Sequence, residues 1–209
     1  MSNRLPFIGN KHKICIICEG YEEYEYIKKL IELKVWNNQY EVTPINAKSN
    51  GTIMAYYQGI YQNGAYEIVF AFCDTDRAPY EQYKNITKKI NDFHDKKNAA
   101  ESVVIFGNPC TLQILILHWK DCILKSHNKH KNAPLIAQCT GVDGYKAKKE
   151  QRKKLLQKVN KDNYFLMKDR VANIDNRFDK IGSSNFIKLM RNLESENCGW
   201  ISKLNAKLE

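Results

Sequence analysis

The residues that could do chemistry stand at the ends of apolar runs. Glu19 and Gly20 follow the unbroken apolar stretch 14–18, and Asp74-Thr75-Asp76-Arg77 follows EIVFAFC at 67–73. Asn108 closes a third run, SVVIF at 102–106, within Gly107-Asn108-Pro109. A carboxylate at the mouth of a buried strand either reaches solvent or belongs to a site. Three carboxylates brought together repel one another, and two arrangements offset that. A divalent cation can do so: Mg²⁺ takes one or two carboxylates with waters and substrate phosphate oxygens. Alternatively, acids are kept protonated by a raised pKa. The chain also carries 33 Lys and Arg against 23 Asp and Glu, a net charge of +10. An acidic cluster inside a basic protein suits metal-assisted chemistry on a phosphodiester. Basic residues would hold the backbone, while Glu19, Asp74 and Asp76 would hold Mg²⁺ or Mn²⁺.

Such residues need elements that bring them together. Residues 13–18 read as a central parallel strand covered on both faces. Apolar spacing predicts a helix over 21–33, a second strand over 40–47 ending in the turn KSNG, and a helix over 52–61. A third strand, 67–73, stops at Asp74. A charged helix over 80–97 carries Tyr83, Ile86, Ile90 and Phe93 on its apolar face, and 102–106 is a fourth strand. The apolar run TLQILILHWKDCIL, 111–124, predicts a buried helix. This alternation implies right-handed crossovers and an α/β, Rossmann-like fold: a mostly parallel four-stranded sheet flanked by helices. Ligands of such sheets bind outside the carboxyl ends of the strands. Glu19 then neighbours the Asp-x-Asp pair if strands one and three are adjacent, with Gly20 giving a sharp turn out of the sheet.

The chain changes character after residue 124. An α/β domain over 1–124 is followed by a basic, mainly helical region over 125–209 packed on it. KSHNKHKNA at 125–133 reads as a loop, and YKAKKEQRKKLLQKV from Tyr145 as a basic helix. Helical spacing returns at Phe186, Ile187, Leu189, Met190 and Leu193. Lys146, Lys148, Lys149, Arg152, Lys153 and Lys154 either track a nucleic-acid backbone or form a solvated helix face.

Several other classes are disfavoured. The opening MSNRLPFIGNKHK is polar and lacks the apolar core of a leader. No apolar run approaches the ~20 residues that span a bilayer. The seven cysteines are odd in number and three lie in apolar runs, which fits reduced thiols in a cytoplasmic protein. Cys15-x-x-Cys18 lies in a strand, where the two side chains point to opposite faces, so zinc or redox chemistry there is disfavoured. His127-x-x-His130 lacks a second ligand pair, His118 reads as a core histidine, and Glu23 and Glu25 favour the positive end of a helix dipole. A haloacid-dehalogenase phosphatase would place Asp-x-Asp after the first strand and before Gly-Thr or Gly-Val. Here Arg77-Ala78 follows the third.

Glu after the first strand and Asp-x-Asp after the third resemble the Toprim domain of primases, topoisomerases and OLD nucleases. Cys18-Glu19-Gly20-Tyr21-Glu22-Glu23-Tyr24-Glu25-Tyr26 is similar to the opening CEG-x-[TS]-E-x-x-Y of the RloB-like family of phage-defence and abortive-infection systems. Asn108-Pro109-Cys110, leading through an apolar run to His118-Trp119, extends the likeness, which covers roughly residues 13–120. The resemblance implies a Mg²⁺-dependent Toprim nuclease acting on RNA or DNA in antiviral defence, controlled by a partner, with an ATPase expected in that role. Asp74 and Asp76 would ligate the metal, with Glu19 as general base or acid or as ligand of a second metal. Gly20, Glu23, Arg77 and Asn108 would support those acids or touch phosphate, and Arg77 could equally pair with Asp74 or Asp76. The chain departs from the family at Glu22, where Thr or Ser is usual, and at Thr111-Leu112, where Phe-Glu is usual. The absent acid at 112 favours an alternative: a catalytically weak Toprim module that binds nucleic acid or a nucleotide signal and regulates its partner.

Overall fold

In β1 (His12–Cys18) every side chain from Ile14 to Cys18 is fully buried. Consecutive burial of this kind demands cover on both faces of the strand. The computed structural model describes residues 11–209, and the reading of the first ten residues as free of a leader lies outside them. After β1 come α1 (Tyr21–Glu32), β2 (Tyr40–Asn46), α2 (Ile53–Gln62) and β3 (Ile68–Asp74). Two helices, α3 (Glu81–His94) and α4 (Ala99–Val103), then lead into β4 (Val104–Gly107). The remainder is helical: α5 (Leu112–Ile116), α6 (Lys129–Thr140), α7 (Lys149–Gln157), α8 (Lys161–Asn173), α9 (Phe186–Glu194) and α10 (Gly199–Leu208).

The strands pair in the order β2-β1-β3-β4, all parallel, which bears out the α/β, Rossmann-like expectation. The chain adds β2 on one side of β1 and then crosses back to place β3 on the other. The crevice between β1 and β3 is therefore the point where strand order reverses, the usual ligand position in open α/β sheets. Phe186 of α9 packs on Phe72 and on Tyr26 of α1, and Trp200 of α10 packs beside Phe70, so these three helices cover one face. Cys73 and Phe106, aligned across β3 and β4, turn to the opposite face, where Tyr83 of α3 meets Phe106.

The segment after 124 shares this core. Phe186, Leu189, Met190 and Leu193 belong to the same buried cluster as the strands. Asn185 clips the edge strand at two points: its Oδ1 accepts from the Phe106 N–H and its Nδ2 donates to the Val104 carbonyl, each at 2.8 Å. Ser184 Oγ donates to the Phe106 carbonyl at 2.6 Å. The free edge of β4 is thereby occupied from within the chain.

Four local expectations need correcting. The helix expected over 111–124 stops at Ile116, because side chains capture the backbone groups that would extend it. Gln113 Nε2 donates to the Cys122 carbonyl and its Oε1 accepts from the Leu124 N–H, while Arg170 donates to the Leu117 carbonyl. The loop 125–133 ends early, since Asn128 caps α6 by accepting from the His130 N–H at 2.9 Å. The basic helix begins at Lys149 rather than Tyr145, because Gly144 and Ala147 hold φ of +55° and +54°. Finally, Gly20 makes no sharp turn: its backbone is extended (φ −142°, ψ −167°) and it caps α1.

Candidate active site

The carboxyl ends of β1 and β3 bring two of the predicted acids into contact. Glu19 Oε2 accepts the backbone N–H of Asp74 at 3.0 Å, stitching the two strand ends together just beyond their ladder. Asp74 Oδ1 accepts from both the backbone N–H (2.7 Å) and the hydroxyl (2.8 Å) of Thr111. Thr111 is held there by a close approach of backbone: a Cβ on Gly107 would sit 2.9 Å from the Cys110 carbonyl oxygen. Only glycine lets the turn after β4 fold back over the site at that distance. Glu23 enters from α1, where its Oε2 accepts the Gly20 N–H at 2.9 Å and so closes the first turn of the helix.

Glu22 is a site residue that sequence reasoning passed over. It is 6 % exposed and its carboxylate is held from both sides, by Lys129 Nζ at 2.5 Å and by the Tyr145 hydroxyl at 2.6 Å. The signal was its departure from the motif the chain resembles: a charged residue where Thr or Ser is usual must find partners. Here both partners come from the region after 124.

Four acids thus share a small volume with one lysine. Burial, then the charges of Glu23 and Glu19, push the Asp74 carboxyl well above the usual range. Burial also raises Glu19 to about 7, with the Asp74 N–H opposing and the charges of Glu23 and Asp76 reinforcing. Burial and the charge of Glu22 raise Glu23 as well. Burial pulls Lys129 down, but the charge and hydrogen bond of Glu22, aided by Asp74, more than restore its proton.

The remaining predicted residues separate into groups. Asp76 lies close enough to raise Glu19 electrostatically and sits at φ +58°, a left-handed conformation that Asp tolerates better than most residues. Arg77 is exposed and makes no ion pair among the described residues; with Asp76 and His127 it lines a cavity of about 320 Å³ beside the acids. Asn108 is 1 % exposed, and its amide donates to the Phe178 carbonyl at 2.5 Å, so it pins a loop instead of serving the acids. Arg152 is also committed. It forms a two-pronged pair with Glu25 (2.8 and 2.9 Å), donates to the Ala147 carbonyl and lies over the Tyr21 ring. Lys146, Lys148, Lys149, Lys153 and Lys154 remain exposed. His118 is a buried core residue bonded to the Tyr26 hydroxyl and Asn163.

Does this site suit a divalent cation? Among the described residues, no three His, Cys, Asp or Glu side chains converge as a ready-made ligand set. Glu19 and Asp74 do adjoin, and Mg²⁺ asks for no more than one or two carboxylates completed by water and substrate oxygens. Their donor atoms are hard oxygens, and Lys129, the cation that acts on Asp74, is already paired with Glu22. Of the buried polar atoms without a partner among the described residues, the Thr75 hydroxyl directly follows Asp74 and its oxygen can face a cation, whereas the unpartnered amide nitrogens of Asn46 and Asn50 are donors and cannot. On these grounds the residues fit the cation.

No family model, curated protein or solved structure matches this chain. Among the described residues no helix is long and apolar enough to cross a membrane.

Proposed function

We propose that this chain is a Toprim-type nuclease that hydrolyses RNA or DNA with Mg²⁺ or Mn²⁺, working in bacterial antiviral defence under the control of a partner, an ATPase by resemblance. The observation that carries the reading is the junction of Glu19 with Asp74 across β1 and β3, at the reversal of strand order, with both carboxyls raised. The CEG and Asp-x-Asp motifs supply the family comparison, and the seven unbridged cysteines suit a reducing, cytoplasmic setting.

Asp74 and Asp76 would hold the cation, which when bound neutralises charge on the phosphate and activates a water. Thr111 fixes the Asp74 carboxylate by two hydrogen bonds, leaving its other oxygen for the cation. Glu19, titrating near 7, can accept a proton from the attacking water and return one at neutral pH. Arg77 stands free to meet a phosphate oxygen. The exposed lysines of α7 add attraction for the backbone, without Arg152.

The test is incubation of the purified chain with labelled tRNA, single-stranded RNA and plasmid in Mg²⁺ or Mn²⁺. Cleavage that Asp74→Ala and Glu19→Gln abolish is expected. Equal cleavage by wild type and both variants would sink the reading.

A second reading has its own support. Leu112, where the family has Glu, is fully buried and brings no acid to the site, and Lys129 already supplies a cation beside the acids. A binding module that senses nucleic acid or a nucleotide and reports to its partner fits those two facts. Calorimetric Mn²⁺ titration separates the readings: tight binding lost in Asp74→Ala favours the enzyme.

A further inference from the structure

Away from the acids, at the amino end of the sheet, α4, α9 and α10 line an open groove of about 350 Å³. Its position follows from its neighbours. Trp200, in the lining, donates its indole N–H to the Tyr40 hydroxyl at 2.9 Å, and Tyr40 opens β2 beside His12, the first residue of β1. Ser102, also in the lining, stands just before β4. The strands are parallel, so the acids lie at their other ends, about 20 Å away along a strand of seven residues.

Four cations line this groove, Lys188 and Arg191 from α9 and Lys203 and Lys207 from α10, against one carboxylate, Glu101 of α4. All of them are exposed, and none forms an ion pair among the described residues. Folding does not account for this gathering. Lys188 lies in the first turn of α9, where a cation opposes the helix dipole, and like charges collected around one groove repel one another. The spacing is regular as well. Lys203 and Lys207 are four residues apart on α10, about 6 Å along the helix axis, a step on the scale of that between successive phosphates of a strand. The half-buried ring of Trp200 is held in place by Tyr40 and Phe70, whose ring centroids lie 5.7 and 6.3 Å away.

We infer that this groove binds the phosphate backbone of a single-stranded polynucleotide and offers Trp200 to one of its bases. The inference rests on the reading of the chain as a nucleic-acid protein, not on cleavage, and it belongs equally to the nuclease and to the binding module. An excess of unpaired cations in one groove selects a partner with several negative charges. An aromatic ring among those cations is what a single strand uses, because its bases stack while its phosphates meet the lysines. A membrane surface would instead need apolar side chains to insert. The large exposed apolar residues, Ile123, Phe165 and Leu166 among them, take no part in the lining. An acidic protein segment would use the charges and leave the ring idle.

The experiment measures binding and folding on the full chain, in EDTA so that no cleavage intervenes. Anisotropy of a fluorescein-labelled single-stranded RNA and its DNA counterpart is followed across salt concentrations. Each phosphate met by a cation adds about 0.7 to the slope of log affinity against log salt for a single strand. Lys188→Ala combined with Lys203→Ala, one from each helix, should therefore make the slope shallower by about 1.4 and weaken binding at low salt. Lys188→Arg combined with Lys203→Arg should keep both the slope and the affinity. Thermal melting supplies the second readout: neither lysine supports the fold, so the alanine variant should melt at or above the wild-type temperature. An unchanged slope, a lower melting temperature in the alanine variant, or no binding of either strand by the wild type overturns the inference. So does an alanine variant that binds both strands as the wild type does but loses poly-glutamate or phosphatidylserine vesicles, which would assign the groove to an acidic protein or a membrane. The nuclease reading fails separately. Strand binding through the groove with no cleavage in Mg²⁺ or Mn²⁺ would remove the nuclease and leave the groove. Cleavage abolished by Asp74→Ala, alongside a wild-type slope in the alanine variant, would leave the nuclease and remove the groove.

Discussion

Replacing Glu19 by Gln should stabilise the metal-free protein, and by an amount set by pH. Gln keeps the oxygen that accepts the Asp74 N–H and removes the charge that burial penalises. In the folded chain Glu19 rises from 4.5 to about 7. Below the lower value both folded and unfolded states carry the proton, and the substitution changes little. As pH climbs between the two values, the unfolded chain releases its proton first and wild-type stability falls; above about 7 the whole difference acts. At about 1.4 kcal/mol per tenfold change, the ceiling on the gain is about 3 kcal/mol. For a chain of this length that is about 6–12 °C in melting temperature. Scanning fluorimetry of both proteins from about pH 4 to pH 8, in EDTA and then in Mg²⁺, reads the effect. In Mg²⁺ the wild type should regain part of the difference, because ligand binding to the folded state adds stability that the variant captures poorly. A variant that melts below wild type at pH 8, or whose advantage is flat across the range, refutes the electrostatic account of Glu19.

Tyr145→Phe removes the hydroxyl that reaches Glu22 and should cost about 2 kcal/mol in urea unfolding, the range for a hydrogen bond to a charged group. Asn185→Ala should cost about 3 kcal/mol by freeing one N–H and one carbonyl of the edge strand, and its melting temperature should fall by several degrees. Arg152→Ala should lower stability by about 1 kcal/mol yet leave the salt dependence of nucleic-acid binding unchanged. Lys148→Glu with Lys149→Glu should instead flatten that dependence in an anisotropy titration across salt concentrations.

The sheet was legible because its strands are short, β-branched and buried on both faces, a pattern that leaves little room for another reading. The acids were legible by the same logic, since charge stands out at the end of an apolar run. What escaped depended on distant partners. Glu22 stood out only as a departure from the resembled motif until Lys129 and Tyr145, more than a hundred residues away, closed on it. Arg152 looked like one of six equivalent cations, and only Glu25 on α1 distinguishes it. The run 111–124 has the composition of a long helix. Its end is decided by Gln113 and Arg170, whose choice of backbone partners no periodicity records.

The β4 clip and the face closed by α9 and α10 bear on how a cell could make this protein safely. Translation delivers Glu19 and Asp74 more than a hundred residues before Asn185, Phe186 and Trp200. Until those emerge Phe72 and Phe70 lack the rings of Phe186 and Trp200, and the Phe106 N–H lacks its acceptor. Pairings that span so much chain are made late. A nascent chain that stops before Asn185 therefore carries the acids without the helices that close the face and edge of their sheet, and Glu22 gains Lys129 and Tyr145 only after their own segment has emerged.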